Sequence, residues 1–452
     1  MQGRLYIIKV LAVWAVMFGL ILTIGALRAT DQREQNPVSA VLTHKERSDT
    51  TNPAAKKRDY LKQSEWPEGV RVYRDWWKER QAAICVVEMD RRAKHVAFDV
   101  ALANEQIVGR ERITSIERRL AQQGMLVFGG VNGSFGIRED NLGRGGAIFN
   151  LHIQDKELVS FAPRRDRWGY SPPTPWGETS FGVTAKGEFL LDGVELNGKV
   201  RIDDQALDVV GVNQLVDSGC SAVIYTPRFG DTTLTRYGYE VILKQIELPL
   251  SAKYHSRFVV SAVNEEGNTS IPQDGVVLAL DRRTAREWRT VLVEGAVGTL
   301  DIALSPEKWQ QVPDGIGGNI RLLRNREIEP EVVNFHETRG GSAPHQANGA
   351  HHHPRSALGF NAEKLFLVVV DGRQHGYSLG MTFYELAGFM RDLGATDAIN
   401  FDGGSSSTLW ALGDIVNRPS HGYERRVFNV AMVVAKPERV KQQTNVKTQT
   451  GE

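Results

Sequence analysis

Six consecutive apolar residues, Leu365 to Val370 in "LFLVVVDGR", run straight into Asp371. Such a run fits a strand covered on both faces, because side chains alternate sides and neither side is left polar. The next residues narrow its surroundings. Thr382 and Glu385 form a T-x-x-E capping box, and Phe383, Leu386, Met390 and Leu393 recur at spacings of three and four, as on one helix face. Gly394 supplies the stop. "TDAINFDGG" then gives a second short strand with Asp402 immediately after it. Strand, helix and strand make a crossover between parallel strands. If the two strands are neighbours, Asp371 and Asp402 emerge at one sheet edge, where α/β proteins form ligand crevices.

Upstream, "AAICVVEMD" and "HVAFDVALA" read as two strands joined by a charged turn, a helical pattern spans Glu111 to Gln123, and "MLVFGGVNGSF" gives a further strand. Between Gly145 and Leu250 short alternating segments punctuated by glycine suggest β-hairpins, and 251–310 continues in that manner as a β-rich insertion or subdomain. The expected class is α+β or mixed α/β: a central sheet with flanking helices and β-rich insertions, spanning 69–436. Residues 30–68 are polar and poor in aromatics, which predicts a tether unable to fold alone, and 437–452 form a polar tail.

Val10 to Leu27 is an uncharged, mainly apolar run of 18 residues preceded by Arg4 and Lys9. Its length favours a retained anchor, about 20 residues being needed to span a bilayer, over a signal peptide with a core of roughly 7–15. Either one puts the body outside the cytoplasm, in the periplasm or at the cell surface. The 55 basic and 54 acidic residues nearly cancel, so no global field points to nucleic acid as a partner. Two cysteines, Cys85 and Cys220, are too few for a disulfide scaffold; one disulfide and two buried thiols both remain open.

Around Asp402, "NFDGGSSSTLW" gathers small residues. Gly403 and Gly404 permit close approach of a ligand to the backbone, and Ser405 and Ser406 offer hydroxyls without bulk. Read alone, the stretch is either a tight turn in which Asp402 bonds its own backbone or part of a polar pocket; a second aspartate one crossover away favours the pocket.

Several segments together resemble the phosphodiester glycosidase family: "GGVNGSFG" at 129–136, "AVIYTPRFGDTTLTRYGYEVIL" at 222–243, "DGIGGNIRLLRNREI" at 314–328, "HPRSALGF" at 353–360, "LVVVDGRQ" at 367–374 and the whole of 378–410. They cover roughly 80–436. The resemblance implies a hydrolase that cleaves a sugar from a phosphodiester or related glycoside. Carried over by position, Asn132, Arg355, Asp371, Arg373 and Asp402 look like the family's pocket, lined by Gly403, Gly404, Ser405 and Ser406, and Glu240 falls on the glutamate of a G-x-E stretch. Serine stands in "PRSALG" where threonine is common, and "NGSFG" lacks a second aromatic, which bears on substrate choice.

Glycoside cleavage uses carboxylates as acid, base or nucleophile, and Asp371, Asp402 and Glu240 are the candidates. A phosphate leaving group reduces the need for an acid and suits guanidinium stabilisation by Arg355 and Arg373, whose plainer role is an ion pair with either aspartate. Asn132 either orients a sugar hydroxyl or forms a turn. His336, His345, His351, His352 and His353 crowd one glycine-rich stretch, but their spacing matches no standard zinc site; His353, beside "PR", is the member best placed to reach the pocket. A hard cation such as calcium is compatible with such a site, although no EF-hand spacing is present. "GGVNGSFG" lacks the G-x-G-x-x-G spacing of a dinucleotide loop. Trp76 and Trp77 either stack on sugars or pack on the core. Beside a glycosidase acting on envelope glycans stands a second reading, a noncatalytic glycan-binding protein for polysaccharide export or wall assembly.

Overall fold

The computed structural model describes residues 59–61, 66–138, 143–162, 179–216, 220–337 and 349–436, all within a unit running from Arg58 to Glu452. The apolar run 10–27, the tether apart from 59–61 and 66–68, His345 and the tail 437–452 lie outside the described residues. Among the described residues no helix is long and apolar enough to cross a membrane.

In chain order, the elements that position the site are β1 (Val70–Trp77), β2 (Ala82–Asp90), β3 (Val96–Leu102), α1 (Ile113–Gln122), β4 (Val127–Asn132), β5 (Arg355–Phe360), β6 (Lys364–Val370), α2 (Phe383–Asp392), β7 (Asp397–Asn400), β8 (Leu409–Ala411) and β9 (Asn429–Ala435). One sheet has the order 59–60, β1, β2, β6, β5, β7, 321–324, 327–328, every neighbour antiparallel. A second has the order 414–415, β8, β4, β9, β3, also antiparallel throughout.

The two sheets face each other. Val87 of β2, Leu367 and Val369 of β6 and Leu358 of β5 meet Phe98 and Val100 of β3, Val131 of β4 and Val433 of β9 in one buried cluster. Gly129 on β4 allows this closeness, since a Cβ there would stand 2.9 Å from a Val87 methyl. The alternate residues of β6, Phe366, Val368 and Val370, turn the other way and pack under Phe383, Leu386 and Met390 of α2. On the far side of the second sheet, α1 lays Ile113, Ile116 and Leu120 against Val430, Met432 and Val434 of β9.

The expected α+β or mixed α/β class is therefore corrected. The chain is mostly β, 46% strand against 14% helix, arranged as several sheets approaching a barrel rather than a central sheet with flanking helices. Burial of β6 on both faces does not need parallel neighbours, because a second sheet covers one face and α2, with Val332 of the helix Pro330–Glu337, the other. β6 and β7 do run parallel, as a crossover requires, but they are not neighbours: β5 lies between them, antiparallel to both. Strand order is a long-range property that a local pattern does not carry.

The remaining strands form a two-stranded pair, 111–112 with 426–427, and two larger sheets. One runs 205–209, 195–202, 297–305, 253–264, 239–244, 276–280, 222–225, 211–212, and the other 189–193, 179–183, 314–317, 152–154, 157–160. The stretch 251–310 shares the larger sheet with strands from 195–244, so its strands and theirs make one structure. Cys85 and Cys220 are both buried free thiols.

Candidate active site

Because β6 and β7 are parallel with β5 reversed between them, the ends of β6 and β7 and the start of β5 share one sheet edge. Arg355 pairs with Val370 and Ala357 with Asn400, so the edge presents Asp371, Arg355 and the turn after Asn400 side by side.

At that turn the Asp402 amide donates to the Gly133 carbonyl at 2.9 Å, and its own carbonyl accepts from the Asn132 side chain at 2.6 Å. Asn132 is fully buried, and its Oδ1 accepts from the Ser356 hydroxyl at 2.7 Å and the Thr408 amide at 3.1 Å. One amide thus ties β4, β5 and the 402–408 turn together, with both its oxygen and its nitrogen bonded within the protein. Gly404 takes a positive φ of 66°, its amide donating to the Pro354 carbonyl at 2.8 Å. A Cβ there would come within 3.1 Å of the Arg373 guanidinium, which lies over the turn.

Asp402 itself is half-buried, its carboxyl group enclosed while the residue keeps some surface. Burial pushes its pKa up to about 6, against the opposing pull of the Ser406 hydroxyl, of Arg138 and Arg425, and of the Gly403 amide. Arg425 also donates to the Ser405 hydroxyl. On the other flank, Arg373 reaches the His353 Nδ1 at 3.3 Å and makes no ion pair among the described residues. Its own φ of 60° is a left-handed conformation that a residue with a side chain adopts at a cost of order 1 kcal/mol, a form of strain that clusters at functional sites. His353 is pushed down to about 4, by burial first and then by Arg355 and Arg373, which keeps it neutral near pH 7.

Asp371 and Arg355 sit deeper. The Asp371 carboxylate accepts from Asn417 Nδ2 at 2.8 Å, from the Arg418 amide at 3.0 and 2.9 Å on its two oxygens, and from the Tyr377 hydroxyl at 3.0 Å. Burial raises its pKa and these donors oppose the rise. Arg355 is 5% exposed, donates to the Met381 carbonyl at 2.8 Å and the His351 carbonyl at 2.9 Å, and stacks on Phe383 at 4.2 Å. Burial, then Arg373, lowers its pKa to about 9, with Glu385 acting in the opposite sense.

The structure thus brings Asn132, His353, Arg355, Asp371, Arg373, Asp402 and the 403–406 turn to one place. It sets Glu240 elsewhere, on the strand Tyr239–Lys244 of the eight-stranded sheet that includes 251–310, where the fully buried carboxylate accepts from Thr233, Thr235 and the Thr269 amide. Of the other clustered histidines, His336 stacks on Tyr384 at 4.2 Å and His352 pairs with Glu385 at 3.0 Å. Among the described residues no three His, Cys, Asp or Glu side chains gather as a metal site would need. Trp76 is 45% exposed beside Tyr377, and Trp77 packs on Phe389.

Sequence reasoning missed Arg138, Arg425, Asn417 and Arg418. The signal available was "NRPSHGYERR" at 417–426, an arginine-rich loop opening directly onto the apolar β9.

Residues 252–434 match the family model described as phosphodiester glycosidase. No curated protein matches the chain. Among solved structures, a hypothetical protein from Synechocystis is similar with a TM-score of 0.66 at 18% identity, over 85% of this chain and 64% of that one. The chain therefore spans just under two thirds of that relative. A candidate exported protein of Burkholderia pseudomallei is similar with a TM-score of 0.59 at 19% identity, over 79% and 74% of the two chains. The catalytic domain of zebrafish N-acetylglucosamine-1-phosphodiester alpha-N-acetylglucosaminidase, auto-inhibited by its pro-peptide, gives 0.40 at 15% identity, over 84% and 85%. At such identities the first two structures establish a shared fold alone, and the third, at a TM-score of 0.40, carries no argument.

Proposed function

From a phosphodiester glycosidase domain over residues 252–434, we propose that the chain is a hydrolase that releases a sugar from a glycosyl phosphodiester or related glycoside, with Asp402 as the reacting carboxylate. The observation that carries this reading is the enclosed Asp402 carboxyl group, with a pKa near 6, between Arg138 and Arg425 on one flank and the Arg373-capped turn on the other. Asp371 has both oxygens filled by donors. It positions the 417–418 loop, as Asn132 and Arg355 position the turn and the 351–353 segment.

A phosphate leaving group is the anion of a strong acid and departs without a full proton. The demand then falls on a negative group facing the developing oxocarbenium ion and on cations facing the departing phosphate. Ionised Asp402 serves the first need, as nucleophile or as base toward water, and the guanidinium groups of Arg373 and Arg425 serve the second through paired hydrogen bonds. His353, neutral, accepts from Arg373 and aims it. The setting is extracytoplasmic and the substrate an envelope or extracellular glycan, a reading supported by the apolar run 10–27 and by likeness to a protein thought to be exported.

Sugar release by the purified protein from a panel of glycosyl phosphodiesters tests the proposal. Asp402→Asn should lower turnover by about 10³-fold or more with the melting transition retained. In the parent, kcat/KM should rise with pH as Asp402 ionises near 6 and then level off. Near-normal turnover in the variant, or a rate that instead falls above pH 6, would remove Asp402 from this role.

A further inference from the structure

The large eight-stranded sheet carries a cavity of about 380 Å³ that takes no part in the proposed chemistry. Its volume lies at the lower end of small-molecule sites, roughly 300–1,000 Å³, enough for one sugar ring. Arg144, Tyr225, Thr233, Thr235, Arg236 and Tyr237 line it.

Three features mark it as built rather than left over. Tyr225 is completely buried, and although the Val216 backbone stands beside its hydroxyl, its O–H finds no acceptor among the described residues. A buried hydroxyl facing a cavity without an acceptor calls for an occupant that supplies one. Secondly, the loop that forms the rim is fixed from beneath. The Glu240 carboxylate accepts from Thr235 at 2.8 Å, from Thr233 at 3.0 Å and from the Thr269 amide at 2.9 Å, tying 233–235 to 269. The Asn268 amide donates to Thr235 at 2.8 Å, and Thr232 bridges to Ser270. The carboxylate is thereby spent on its own donors. Thirdly, this fixed loop holds Tyr237 77% exposed. Arg236, next to it, is exposed and makes no ion pair among the described residues.

A held-out aromatic ring offers a face for a sugar, a buried hydroxyl can bond one of its oxygens, and two guanidinium groups select an anion with bidentate geometry. We propose that this cavity is a second carbohydrate-binding site, taking a uronate residue of an acidic glycan with its ring on Tyr237 and its carboxylate between Arg144 and Arg236. The inference goes beyond the proposed activity and does not depend on it, since a glycan held here is not the bond being cut.

The test is calorimetric titration of the purified full chain with trigalacturonate, with neutral maltotriose, and with inorganic phosphate. Trigalacturonate should bind saturably and maltotriose at least about tenfold more weakly, the loss expected for a charge-assisted contact. Arg236→Gln and Tyr237→Ala, both at exposed positions, should each weaken trigalacturonate by about tenfold while leaving turnover of a small substrate unchanged. Asp402→Asn should bind like the parent. No binding of trigalacturonate overturns the proposal. So does equal binding of maltotriose, full displacement by inorganic phosphate at matched concentration, parental affinity in both rim variants, or loss of binding in Asp402→Asn.

Discussion

Asp402 holds a proton more tightly in the folded chain than it would in water, and the sign of that shift can be measured apart from activity. A raised folded pKa means that stability is greatest below the unfolded value of 3.8 and is lost as pH rises through about 6. Asp402→Asn cannot ionise. Relative to the parent it should be more stable at pH 8 by up to about 3 kcal/mol, with no such gain at pH 3, in urea denaturation run at both pH values. A difference that stays constant across that range would show the carboxyl to be solvated. Asp371 contrasts with it at the same scale: it is equally acidic in sequence, but its lone pairs are consumed by Asn417, Tyr377 and the Arg418 amide. Both aspartates follow an apolar strand and precede glycine, so no local pattern distinguishes the enclosed carboxyl beside Arg138 and Arg425 from the one locked in place by its donors.

At the level of elements, α2 was legible because its determinants are local. Thr382 accepts from the Glu385 amide at 3.1 Å and Glu385 returns the bond to the Thr382 amide at 3.0 Å, the reciprocal cap that the T-x-x-E spacing announces. Thr382→Ala should cost about 1 kcal/mol in chemical denaturation. A larger loss would mean that the cap also holds the site, since Glu385 additionally receives Arg80 at 3.1 Å and His352 at 3.0 Å. β6 and β7 were equally visible as apolar runs. What was not visible is β5 between them, because pairing depends on residues far apart in the chain, and "RSALGF" carries no mark of which neighbours it will take. For the same reason the Asp402 turn could be read from its own glycines and serines, whereas Arg138 and Arg425 reach it from about 264 and 23 positions away, in loops with no periodicity to interpret.

Among the described residues an aromatic hub and a polar seam join the sheets. Phe181, fully buried, meets Phe98 of β3 at 4.8 Å, Phe189 at 5.3 Å and Phe360 of β5 at 5.5 Å, touching three sheets at once. Phe181→Ala should therefore cost about 3–5 kcal/mol in the global unfolding transition; a cost below about 1 kcal/mol would mean the sheets do not depend on this contact. The seam runs beside it. Asn429 accepts from the Ser134 amide at 2.7 Å and its amide donates to Ser134 and His152, while Asn132 holds the Asp402 turn. Asn132 precedes Gly133, and an asparagine followed by glycine is the sequence in which the next backbone nitrogen most easily closes on the side-chain amide, expelling ammonia to give a cyclic imide that water then opens to aspartate or isoaspartate. In the native chain the reaction is blocked, because the Gly133 nitrogen donates to the Asn429 carbonyl and the Asn132 amide is pinned on both sides. Each excursion to the unfolded state releases both partners. Chemical ageing of the denatured chain would then place a carboxylate against the Asp402 carbonyl, so the same amide that assembles the site also sets how long an unfolded molecule can wait and still return.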